Sequence, residues 1–165
     1  MKKLITTIAF VFASIVLNAQ EAKVLKGVNE AGDVASFELD CTKKFPVLAK
    51  GLRYNITRHE FKGPDMKNTY RIMLVMDGFY TNVLNSEMTI SAVLTDGSVI
   101  SKKETIESDG YFDGACTLTM NAIKGPVELS IKQITVHADK DVVYTVSEQN
   151  RVFFTKNLNN IITAK

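Results

Sequence analysis

From Val34 onward apolar residues recur at every second position, the period of a strand with one face buried. Ala35, Phe37, Leu39 and Cys41 share one parity, while Ser36, Glu38 and Asp40 share the other. Leu52, Tyr54 and Ile56 repeat the rhythm, as do Tyr70, Ile72, Leu74 and Met76. In the last of these, Met73 and Val75 make both faces apolar, which predicts a central strand. Met88, Ile90, Ala92 and Leu94 lead to Asp96-Gly97 and a new run from Val99, predicting a hairpin closed by a type I′ turn. Cys116, Leu118 and Met120 form the next inward set.

After Gly125-Pro126, Val127, Leu129 and Ile131 keep one parity while Ile134, Val136 and Ala138 keep the opposite one. A β-bulge near Lys132-Gln133 would bring both sets to the same face. Val142 to Val146 completes the strands, and the period then changes. Phe154, Leu158, Ile161 and Ile162 fall on one side of a helix predicted over 148–163, with Ser147 as N-cap and Glu148 in the first turn. Asparagines at 157, 159 and 160 are poor helix formers, so docking must supply most of its stability.

This pattern predicts a mainly β chain: an antiparallel β-sandwich of about eight strands with one C-terminal α-helix. The alternative is a closed β-barrel around an apolar cavity, similar in outline to the lipocalins. The chain has no tryptophan, so the G-x-W start of that family is missing. Residues 21 to 33 have a weak pattern and read as an edge strand or an arm.

Met1-Lys2-Lys3 followed by the uncharged apolar run Leu4 to Leu17 is too short to span a bilayer, and suits the core of an export signal. The segment resembles the secretory signals of Gram-negative bacteria that end in Ala-Gln. The resemblance implies cleavage after Ala19, removal of 1–19, and a single exported domain over 20–165, periplasmic or secreted. No cysteine lies near the cut to carry a lipid, and no second apolar stretch reaches membrane-spanning length.

Composition narrows the functions. The 165 residues are 45% hydrophobic and 23% charged, which excludes a disordered or collagen-like chain. The formal charge of +2 falls to zero without Lys2 and Lys3, and no basic block follows phosphates, so nucleic acid is not expected as a partner.

Candidate chemistry is sparse. Cys41 and Cys116, the two cysteines, both fall on inward faces, and an oxidising compartment permits a disulfide between them; two separate buried thiols are the other reading. His59 and His137 stand alone, without a second ligand at metal spacing, and read as ordinary strand histidines. Asp139 and Asp141 read as a polar hairpin tip. Asp77-Gly78-Phe79-Tyr80 and Asp109-Gly110-Tyr111-Phe112 are alike: each reads as leaving a strand through a flexible turn and presents adjacent aromatics. Phe79, Tyr80, Tyr111 and Phe112 are therefore the candidate ligand-binding residues, with closure of the ends of the core as the competing role.

No phosphate loop, nucleophile elbow or zinc-helix motif is present, and no cofactor is implied. The expectation is a non-catalytic binding module for a protein, a glycan or a small apolar ligand. A carrier with a barrel cavity is the second reading and an extracytoplasmic hydrolase the third, since glycosidase carboxylates come from distant strands.

Overall fold

The computed structural model describes residues 22–63, 67–76, 87–105, 114–120, 123–138 and 140–165. The predicted signal 1–19 lies outside them. Among the described residues ten strands precede one helix: β1 (Val24–Val28), β2 (Val34–Leu39), β3 (Val47–Ala49), β4 (Leu52–Phe61), β5 (Thr69–Met76), β6 (Glu87–Leu94), β7 (Val99–Thr105), β8 (Ala115–Met120), β9 (Ile131–His137), β10 (Asp141–Thr145) and α1 (Glu148–Thr163).

Two antiparallel sheets form. The first runs β1-β2-β4-β5-β8, with β3 beside β4 where β2 has ended; the second runs β10-β9-β6-β7. The architecture is the predicted sandwich with its C-terminal helix, and the sheets do not close into the alternative barrel. β7 and β8 approach each other, but among the described residues no ladder joins them. The weak segment before Asp33 is an edge strand, β1, and the three-residue β3 is an addition to the predicted set.

Alternation sorts the side chains as period two requires. Phe37 and Leu39, then Leu52, Tyr54 and Ile56, then Tyr70, Ile72, Leu74 and Met76 are buried on the inner face of the first sheet. Met88, Ile90, Ala92 and Leu94 meet them from the second. Met73 and Val75, on the outer face of β5, are only half-buried, so β5 is central within its sheet without being covered on both sides.

The predicted bulge is present. Val93 faces Gln133 and Leu94 faces Ile131, leaving Lys132 as the extra residue, and Ile131, Ile134 and Val136 all reach the core. The run from Val127 to Ser130 is not strand, contrary to the sequence pattern, because side chains of neighbouring elements take its backbone groups. Asn159 bonds both the N–H and C=O of Val127, at 2.8 and 2.9 Å, and Thr155 Oγ1 donates to Leu129 O at 3.0 Å. The Asp96-Gly97 hairpin also differs in detail. Gly97 N–H donates to Leu94 O and Leu94 N–H to Ser98 O, a three-residue loop with Gly97 at φ +86°, where a two-residue type I′ turn was expected.

The helix occupies its predicted bounds, with Ser147 Oγ accepting from Asn150 N–H at 3.3 Å. Phe154, Leu158 and Ile161 enter the core between β2, β3, β4 and β9. The asparagines that weaken its intrinsic propensity dock it. Asn150 Nδ2 donates to Leu48 O at 3.0 Å and the buried Asn157 to Tyr54 Oη at 2.9 Å. At the other end, Arg58 extends the inward parity of β4 and is 3% exposed. Its guanidinium lies 4.1 Å from the Phe37 ring centroid, donates to Ile162 O and, at 2.7 Å, to Ala164 O, and pairs with Glu60 at 3.0 Å. Those carbonyls are among the ones a helix C-terminus leaves without partners, and a cation there also suits the helix dipole.

Candidate functional site

The candidate aromatics Phe79, Tyr80, Tyr111 and Phe112 lie outside the described residues, and so does Asp139. What is described is the junction from which both aromatic segments depart. β5 ends at Met76, β8 begins at Ala115, and the two strands are antiparallel neighbours with Val75 facing Ala115. Met76 N–H donates to Gly114 O at 2.7 Å, so the exit toward Phe79 and the entry from Phe112 are bonded to each other.

Glycine is required at this junction. Gly114 has φ +80°, and a Cβ there would stand 2.6 Å from Met76 O, well inside the closest approach of carbon to oxygen.

Cys116 lies beneath the junction and faces inward. Its thiol contacts Glu104, whose Oε1 is 2.6 Å from Lys102 Nζ. Lys102 and Glu104 continue the inward parity of Ile100 on the edge strand β7, so an ion pair sits at the seam between the sheets. Burial, reinforced by Glu104, pushes the Cys116 thiol up to about 12. Cys41 is pushed up to about 11 by burial and then by Glu38 and Asp40. Both thiols stay protonated at neutral pH, a state poor in nucleophilicity.

The two cysteines are free, and the disulfide admitted from the sequence is absent. Cys41 follows β2 and Cys116 belongs to β8, so β4 and β5 stand between them. Three inter-strand steps amount to about 14 Å, against a Cα separation of at most about 7 Å for a bridge. Equal inward parity made the pair look compatible; the strand order separates them.

His59 lies on the outer face of the first sheet, its pKa lowered by desolvation and then by Arg71, with Glu38 opposing. His137 pairs across strands with Asp141, Nδ1 to Oδ1 at 2.9 Å. Among the described residues, no three histidine, cysteine or carboxylate side chains gather as a metal site, and no helix is long and apolar enough to cross a membrane.

A shallow groove of about 760 Å³ follows the outer flank of α1, between Val152 and Arg151 on the helix, Val127 and Glu128 on the segment entering β9, and Lys132 of β9 itself. It mixes apolar and charged groups of both signs. Parity extended one step beyond Ile56 would have marked Arg58, and one step beyond Ile100 would have marked Lys102. The groove has no such signature, because it arises from a non-strand segment the alternation disguises.

The fold thus defines an antiparallel β-sandwich closed along one side by a helix. Comparison of the chain with protein-family models, curated proteins and solved structures finds no match in any of the three.

Proposed function

We propose that this chain is a secreted or periplasmic, non-catalytic interaction module that binds a protein or glycan through Phe79, Tyr80, Tyr111 and Phe112. The observation that carries this reading is the bonded junction of Met76 and Gly114. Phe79 follows Met76 by three residues and Phe112 precedes Gly114 by two, and this nearness in sequence to the bonded junction supports the reading. Adjacent aromatics from two segments supply large, rigid contact area, the usual substance of a recognition surface.

The inner faces support a peripheral site. Side chains of both sheets and of α1 pack into one buried cluster, so this apolar surface is used in self-packing. The cysteine thiols, held protonated, offer no ready nucleophile.

Replacing all four aromatics by alanine tests the reading, with labelled protein applied to glycan and peptide arrays. Wild-type signals that vanish in the variant, with the thermal transition shifted by no more than a few degrees, are the expected result. Loss of the cooperative transition would assign the rings to the core, and unchanged array signals would remove them from recognition.

A further inference from the structure

The free edges of the two sheets differ in how they are guarded. β7 carries Lys102, Lys103 and Glu104, two of them pointing inward, and β8 lies against β7. β1 turns Lys26 inward over the Phe37 ring and contains Gly27. Inward charges and glycine are devices that keep sheet edges from pairing with other chains. β10, Asp-Val-Val-Tyr-Thr, has neither; among the described residues it pairs with β9 alone, and Val143 is 53% exposed.

The orientation of its backbone follows from one hydrogen bond. Val146 N–H donates to Lys132 O at 3.0 Å, and the β9–β10 register continues to this pair. Hydrogen-bonded pairs alternate along an antiparallel ladder, so Tyr144 and Val142 bond to β9, while Asp141, Val143 and Thr145 turn N–H and C=O to the open edge.

We propose that β10 pairs antiparallel with β10 of a second copy of this chain, about a two-fold axis at Val143. The sequence complements itself in that register. Val143 meets Val143, each Asp141 meets Thr145 of the other copy, and each Val142 meets Tyr144, an aromatic–β-branched pair of the kind that stabilises sheets. The only charge on the strand, Asp141, faces a hydroxyl and never its own copy. The three residues that project main-chain groups outward face one another, so every such group finds a partner, and two four-stranded sheets become one of eight. A second copy fits better than an unrelated peptide because this pairing is isologous, with one patch serving both sides.

Sedimentation equilibrium of the purified chain at sub-millimolar concentration tests this. Wild type is expected at twice the monomer mass. Val143→Pro removes an N–H that points away from β9, and Val143→Lys or Val143→Glu sets like charges at the axis; each variant is expected at the monomer mass with an unchanged circular dichroism spectrum. Mixing the Lys and Glu variants in equal amounts restores the doubled mass, which simple damage to the strand would not allow. Two results overturn the proposal: a dimer indifferent to all three substitutions, or a monomeric wild type, including one that instead captures extended peptides and loses them on Val143→Pro.

Discussion

Arg58 shows how a charged residue at an inward position of its strand becomes structural. A guanidinium at 3% exposure is costly to desolvate, and here the cost is offset by stacking on Phe37, the Glu60 carboxylate and two helix-terminal carbonyls. Arg58→Ala leaves those carbonyls and Glu60 without their donor, and should destabilise the fold by about 3 kcal/mol in urea denaturation. Arg58→Lys should recover only a minor part, since an ammonium cannot reach two carbonyls while lying flat on a ring. Tyr54 and Asn157 form a comparable buried pair, with the Tyr54 ring 5.1 Å from that of Phe154. Neither interaction was legible in the sequence. Arg58 comes into register with a helix end 104 positions further along the chain only once the fold has formed, and parity names a face without naming the partner across it.

Among the elements, those set by local rules were read well. The bounds of α1 follow from the Ser147 cap and the change of period, and the Lys132 bulge follows from a parity that reverses within one apolar run. Elements set by competition were read less well. Val127 to Ser130 has strand parity, yet Asn159 and Thr155 of the helix take its backbone bonds. β3 is three residues long and exists because β4 outlasts β2. The β5–β8 junction belongs to this scale as well. Gly114→Ala combines a left-handed backbone with a carbon driven toward Met76 O, and should cost ~2 kcal/mol or more, seen as a lowered urea midpoint. If the junction orients the aromatic segments, the same variant also weakens the array signals of the wild type.

For the whole molecule, the buried acids set an upper pH limit. Cys41 and Cys116 rise from 9.0 to about 11 and about 12, and Tyr54 from 10.0 to about 12, in each case chiefly through burial. Above pH 9 the unfolded chain releases these protons while the native chain retains them, so stability is intact below that pH and is lost progressively toward pH 12. Urea midpoints should therefore fall between about pH 8 and about pH 10.5. Iodoacetamide at the lower pH should label Cys116 only after denaturation, while the half-buried Cys41 reacts slowly in the native chain; rapid native labelling of Cys116 would contradict its burial. The sandwich itself was legible because alternation determines faces. The order of its strands was not, which is why Cys41 and Cys116 looked like partners and are separated by two strands. The charged lip of β7 has one more consequence. If the second sheet is open to addition at β10 and barred at β7, it can be extended once and then has nowhere left to grow, so self-association ends in a closed pair instead of running on into a fibre.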